Sequence, residues 1–403
     1  MIPSIAFSVP DIAAQATLEL KSLDTGADVA CITSEVNNGK TAAVPAVSYV
    51  AAGIAGAALV VGGLSALGAA AGGGTGGAGT MSPSFTEVFT TMQGFAMNGM
   101  FSVNYPDVYR SFAKNFGFSV GLIPWTAMQT SIDNFRASTG GNLTDDSVQF
   151  LKNATLVFND GSSSTNTKRH IGLMLRDSIS TSISNSSSSS DSKSSLQTTV
   201  SGIQGYVEQL SVPQANTFMT VLLIVAIVIA AIAVGILFLK VVLETWALFG
   251  SFPKSLTGFR KHYWGTMART IVNLILVLYG VWVLYCVFEF THGDSWAAKL
   301  LAGITLALFT GVLAAFTFLI WKTARRLKQA EGDVSGLYDN KSTWLKYSLF
   351  YDSYQKDFWW LFVPAIVYMF AKGVVLGAAD GHGLTQTVAQ LIIECLSKYN
   401  FNP

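Results

Sequence analysis

The side chains able to do chemistry are few and scattered. Four histidines occur, His170, His262, His292 and His382. Only Glu289 with His292, and Asp380 with His382, lie close enough in sequence to suggest shared ligation. Pairs of this kind are too common to argue for a metal, and no metal ligand is assigned. No nucleophile elbow, Walker-type phosphate loop or dinucleotide glycine fingerprint is present, so no catalytic residue and no enzyme is expected. The glycines of Gly72–Gly79 follow a membrane-type helix and not a strand, which discounts them as a phosphate cradle. Cys286 and Cys395 fall in apolar runs and read as packing thiols.

Polar groups inside apolar segments carry more information, because intramembrane charges usually mark pathways. Glu87, Asn273 and Lys372 are the candidate pathway residues, with Arg269 near a span end. Lys372 lies thirteen residues into its span from Trp359. Its ammonium can also snorkel to the outer interface. Asn273 is of a type more often used as interhelical glue than as a ligand.

Membrane helices must hold these groups. Half of the 403 residues are hydrophobic and 12% are charged, about half the charged share of a soluble domain. Mean hydropathy is +0.43. These values exclude a cytosolic enzyme, a disordered chain and a disulfide scaffold. Net charge is +1, so no basic excess points to nucleic acid. The expected fold class is mainly α, a polytopic helical membrane protein. Apolar runs of spanning length cover Thr217–Leu239, Ile271–Phe288, Leu300–Trp321 and Phe358–Ala379. Leu384–Leu396 reads as the first part of another span. Upstream, Ala42–Ala71 is uncharged and rich in small residues four apart, such as Ala52 and Gly56. Such spacing lets helix backbones approach closely. With Ser84–Val103 it is expected to form a transmembrane hairpin within residues 41–104. The other reading is one span followed by a surface helix.

Charge sets the orientation. Lys240–Arg269 holds five basic residues, and Lys322–Lys356 holds seven. Both are expected to be cytoplasmic. The turns Glu289–Lys299 and Asp380–Gly383, and the long segment before Thr217, are then outside. That segment carries sequons at Asn142, Asn153 and Asn185, the expected glycosylation sites, whereas the sequon at Asn340 falls inside. Residues 105–160 read as a folded outer loop and residues 161–215 as a Ser-rich linker, whose composition cannot bury enough apolar surface to order itself. Lys322, Arg325, Arg326 and Lys328 lie where a helix leaves the bilayer. They are candidate contacts for anionic lipid headgroups, or they serve only to fix orientation. Ile5–Leu20 alternates like β-structure and reads as a tail or as the last strands of a domain.

Several longer runs resemble one family. They are Ala-Met-Asn-Gly-Met-Phe-Ser-Val-Asn-Tyr-Pro at Ala96–Pro106, Tyr-Arg-Ser-Phe at Tyr109–Phe112 and Asn-Phe-Gly-Phe-Ser-Val-Gly-Leu-Ile-Pro-Trp at Asn115–Trp125. Asp-Asn-Phe-Arg at Asp133–Arg136 and Thr-Gly-Gly-Asn at Thr139–Asn142 belong with them. These runs are similar to the fungal TRP-like proteins, also called flavin carriers. The resemblance implies a secreted ML-like lipid-recognition β-sandwich followed by a TRP-like membrane domain. Residues 1–40 match the end of that sandwich, with Cys31 as a disulfide candidate, and 216–403 match the first part of the membrane domain. The chain is thus expected to be truncated at both ends. The implied function is membrane transport, either of FAD into the endoplasmic reticulum lumen or of cations such as calcium, linked to cell-wall maintenance. FAD would be a transported substrate, with no cofactor bound. The contrasting function is a non-transporting lipid or sterol sensor or scaffold. Implied partners are membrane lipids, an anionic lipid or sterol among them, and further copies of the chain. The implied location is the endoplasmic reticulum or plasma membrane.

Overall fold

The computed structural model describes residues 10–11, 13–21, 28–37, 41–44, 46–54, 85–159, 162–165, 196–249, 257–352 and 354–401. The architecture is a bundle of long apolar helices beneath a small mixed α/β layer. Among the described residues, four helices are long and apolar enough to span a bilayer, over Gln214–Trp246, Met267–His292, Trp296–Ala330 and Lys356–Ala378. They contain the first three spans expected from composition in full, and the fourth, expected over Phe358–Ala379, up to Ala378. The first three run past their apolar stretches at both ends, because basic and aromatic residues extend the helix into the interface.

Near the start, β1 (Ala13–Lys21) and β2 (Asp28–Asn37) form an antiparallel ribbon. Cys31 stands opposite Glu19 in its register. Residues 46–54 are helical (α1). The remainder of the expected first limb, including Gly56, and its glycine turn lie outside the described residues. The segment expected as the second limb, Ser84–Val103, contains α2 (Phe85–Asn98). Its 14 residues measure about 21 Å, against roughly 30 Å of hydrocarbon. One face, with Met92, Gln93, Ala96 and Met97, is buried.

The outer layer comprises α3 (Asp107–Lys114), a 3-10 turn Gly117–Val120, α4 (Thr126–Ser138) and α5 (Val148–Asn153). A three-stranded sheet follows, with β3 (Ala154–Phe158) between β4 (Ser163–Thr165) and β5 (Leu196–Val200). Helix α6 (Gly202–Gln209) closes the layer. This corrects the expected linker over 161–215. Its last third, residues 196–215, is folded, with Val200, Ile203, Val207 and Val212 buried. Those apolar side chains follow the serine run, and an averaged composition hides them. Asn185 lies outside the described residues.

The bundle contains α7 (Thr217–Phe249), α8 (Thr257–His292), α9 (Trp296–Glu331), α10 (Gly336–Asp339), α11 (Lys341–Tyr351), α12 (Phe362–Ala378) and α13 (Gly383–Phe401). Helix α8 is its centre. Its most apolar window is 61% buried, against 11%, 17% and 28% for the other three spans. Trp282 on α8 stacks edge-on to Phe218 of α7 and lies 4.7 Å from the Phe309 ring of α9.

The tightest contact joins α8 to α12. A Cβ at Gly373 would lie 2.6 Å from the Gly280 carbonyl oxygen and 3.0 Å from the Leu284 nitrogen. One at Gly377 would lie 2.7 Å from the Leu284 carbonyl oxygen. The helices therefore touch backbone to backbone and run parallel, Gly280 and Leu284 beside Gly373, Phe288 beside Gly377. Small residues permit this approach where lipid removes the hydrophobic drive. Of the expected packing thiols, Cys286 is buried, but Cys395 is exposed on α13. It falls on a helix face that no described element covers.

Candidate functional site

The outer layer docks on the two turns that charge places outside. Arg136, on α4, is fully buried. Its Nε donates to Asp294 Oδ1 at 3.0 Å and its Nη2 to Oδ2 at 2.5 Å, in the turn between α8 and α9. Its Nη1 donates to Asn216 Oδ1 at 2.8 Å and to the Asp146 carbonyl at 2.9 Å. Asn216 immediately precedes α7 and also donates to Asp133 Oδ1 at 2.7 Å. One guanidinium thus ties the outer layer to three helix ends. A second junction uses Asp380, after α12. Its Oδ1 accepts from Ser102 Oγ at 3.0 Å and from the Ile203 amide at 3.1 Å. Gln386 Oε1 accepts from the Ser102 amide at 2.8 Å.

These contacts place the turns 293–295 and 379–383 on one side of the bundle, with Asn142 and Asn153. Asn142 and Asn153 are both exposed. The Asn142 backbone is anchored, its amide donating to Asp294 Oδ2 at 2.8 Å, while its side chain stays at the surface.

The junction is rich in carboxylates. Asp133, Asp146, Glu208, Glu289 and Asp294 gather around Arg136 or its neighbours. Burial opposes the charge of Asp294, but the hydrogen bonds and charge of Arg136 prevail and hold its carboxyl below the usual range. Burial pushes Glu208 up to about 7, a little relieved by the Gln204 amide. Asp146 is also raised by burial, against the opposing Ala215 amide and Arg136.

Glu289 caps a polar line on α8. Trp282, Tyr285 and Glu289 are each at most 2% exposed. Their spacing of three and four residues puts them on one helix face. The Nε1, hydroxyl and Oε1 atoms of the three are buried without a hydrogen-bond partner. Gly293 leaves room for this carboxylate, since a Cβ there would collide with Glu289 Oε1. Among the described residues no three His, Cys, Asp or Glu side chains are grouped to hold a metal ion.

The sequence-derived pathway residues do not converge. Glu87 is exposed in the first turn of α2, where its charge complements the helix dipole. Asn273 is half-buried on the inner half of α8. Lys372 is half-buried, its Nζ 5.8 Å from the Tyr368 ring centroid. Tyr368 donates to Glu394 Oε1 at 2.5 Å, and Glu394 draws on the lysine's charge. Lys372 thus belongs to a network between α12 and α13.

The basic cluster divides. Arg325 and Lys328 line a cleft of about 530 Å³ with Trp321, Asp333, Asp357, Trp359 and Trp360. Lys322 and Arg326 are exposed outside it. Arg325 lies over the Trp321 ring at 5.5 Å.

The sequence assigned no role to Arg136, Asp294, Glu394 or the Gly373/Gly377 pair. The glycines were detectable, being four apart in an apolar run. Arg136 had no local signal, since all its acidic partners except Asp133 lie at least ten residues away.

A multi-span helical bundle sealed at one end by a folded cap defines an integral membrane protein. More narrowly, the chain belongs to the transient receptor potential (TRP) ion channel family, whose profile matches residues 47–399, and an ML-like domain profile matches residues 1–42. It is a family of channels and carriers, not of enzymes. The chain is 24% identical to the TRP-like ion channel protein flc1 of Cryptococcus neoformans, covering 98% of this chain and 53% of that protein. It is also 24% identical to flavin carrier protein 2 of Saccharomyces cerevisiae, over 97% of this chain and 50% of that one. With the TRP-like ion channel pkd2 of Schizosaccharomyces pombe it shares 29% identity over 35% of this chain and 19% of the relative. The chain spans about half the length of the first two. No solved structure matches it.

Proposed function

We propose that the chain forms the outer cap and first spans of a cation-conducting membrane protein, with calcium among its ions, serving cell-wall maintenance from the endoplasmic reticulum or plasma membrane. Glu289 carries this reading. It is a buried carboxylate with an unpartnered oxygen at the outer end of the central span. Such a group is costly in a bilayer and is characteristic of ion paths. The carboxylates around it outnumber Arg136 and favour cations at the entrance. Tyr285 continues the line inward with a hydroxyl oxygen that a hydrated cation can engage, whereas the Trp282 indole N–H only donates and serves no cation. The absence of a tight metal cage among the described residues suits conduction, where a bound ion must also leave. The relatives named as TRP-like ion channels support the same reading.

The test is reconstitution of the full chain into vesicles holding a calcium-sensitive dye. Wild-type protein is expected to pass calcium, Glu289→Gln to pass much less, and Glu289→Asp to retain more than Gln. A folded Glu289→Gln variant with wild-type flux overturns the assignment. Uptake of FAD without cation flux in the same vesicles moves the protein to flavin carriage. Neither flux, with sterol or lipid bound, moves it to a sensor or scaffold.

A further inference from the structure

The cleft at the inner end of α9 and α12 has a composition that the transport reading does not use. Helix α9 starts at the outer junction, where Ser295 meets Thr139 at 2.6 Å. Trp321 lies 25 residues into the helix from Trp296, roughly 37 Å at the helical rise. The cleft is therefore on the opposite side of the bilayer from the cap, at headgroup depth. Trp321, Arg325 and Lys328 come from α9, and Asp333 from the loop after it. Asp357, Trp359 and Trp360 come from the 3-10 turn that leads into α12.

Two cations and two carboxylates balance to zero within the cleft. The Val334 amide holds the Asp333 carboxyl below its usual range, so it is charged at neutral pH. A polyanionic ligand would meet Asp333 and Asp357. A simple cation would meet Arg325 and Lys328. A zwitterion satisfies both pairs, with phosphate on the basic side chains and ammonium on the acidic ones. Three indoles favour a quaternary ammonium, whose diffuse charge is attracted by aromatic faces. The volume of about 530 Å³ falls in the range of small-molecule sites. Toward the bilayer from the cleft, Phe318 packs its ring 6.2 Å from that of Trp321, and the two, 57% and 49% exposed, offer apolar surface for acyl chains.

We propose that this cleft binds the headgroup of a phosphocholine lipid, with the phosphate on Arg325 and Lys328 and the trimethylammonium among Trp321, Trp359, Trp360 and the two aspartates. The site is independent of the cation reading. It also separates Arg325 and Lys328, which bind, from Lys322 and Arg326, which do not.

The full chain, purified in maltoside, is mixed with phosphatidylcholine, phosphatidylethanolamine, phosphatidylglycerol or free phosphocholine. Retained ligand is counted by native mass spectrometry. Wild type is expected to retain phosphatidylcholine about tenfold over phosphatidylglycerol, the scale of one good cation–π contact. Arg325→Gln with Lys328→Gln, and separately Trp360→Leu, should each cut that retention. Asp333→Asn with Asp357→Asn should shift preference toward phosphatidylglycerol. Lys322→Gln should change nothing. All the substituted side chains are exposed, and elution as a single folded species is checked for each. Equal retention of every lipid overturns the proposal. So does wild-type preference for phosphatidylglycerol, or retention of free phosphocholine as strong as that of the lipid.

Discussion

Arg136 and Asp294 form a two-pronged ion pair across 158 residues of sequence, with N–O distances of 3.0 and 2.5 Å. It joins a helix of the outer cap to the turn between α8 and α9. The guanidinium is fully buried and the carboxylate partly so. Removing one member of such a pair leaves a buried charge, which costs about 3–5 kcal/mol.

Arg136→Met is therefore expected to release the cap from the bundle, and Asp294→Asn to do so less completely. Thermal unfolding of purified protein in detergent is the measurement. The pair also has a pH signature. Asp294 is held below the usual range, so its contribution is full near neutrality and is lost as pH falls below the ordinary carboxylate value. Wild type should lose stability across that acid window, and Asp294→Asn should lose less. Unchanged unfolding of Arg136→Met would show that the cap docks without this pair.

Glu208 predicts the opposite slope. Its folded value is about 7, above that of an unfolded glutamate, so the folded state binds the extra proton between those values. Stability should rise as pH falls from 7 toward 5, by up to about 3 kcal/mol, and be flat above the folded value. Glu208→Gln should be more stable than wild type at pH 7.5 and lose this slope. Chemical unfolding followed by cap tryptophan fluorescence at several pH values reads both effects. A wild-type curve flat across this interval would mean that Glu208 stays ionised.

Gly373→Val should separate α8 from α12, because its Cβ would sit 2.6 Å from the Gly280 carbonyl. Backbone cannot yield as a side-chain tip can, so folded yield in membranes should fall sharply. Gly311→Ala, at a glycine with nothing within 4 Å, should be tolerated. Size-exclusion profiles of the two variants distinguish them, and a normal profile for Gly373→Val would refute the close packing.

Glycans should be present at Asn142 and Asn153 and absent at Asn340. The first two are exposed on the cap side, and Asn340 follows α10 on the side of the basic loops. Endoglycosidase mobility shifts of single Asn→Gln variants report this directly. A glycan at Asn340 would invert the orientation.

Class and the four spans were legible in the sequence, because each depends on local quantities. A run such as Thr217–Leu239 must be helical in lipid, where every backbone group needs an internal partner. The ribbon register, the folding of residues 196–215 and the division of the basic cluster were not legible. Arg325 and Arg326 are adjacent in sequence, yet only Arg325 faces Trp359 and Trp360, since neighbouring helical residues point about 100° apart. Lys372 looked solitary until α13 brought Glu394 beside Tyr368. Arg136 entered only as the last residue of the run Asp133–Arg136, and its role emerged only when Asp294, Asp146 and Asn216 were brought together. Apolar runs are determined by short-range transfer energies and can be read residue by residue. Ion pairs and backbone contacts depend on distances of a few ångströms between segments remote in sequence, and those distances exist only after the chain has packed.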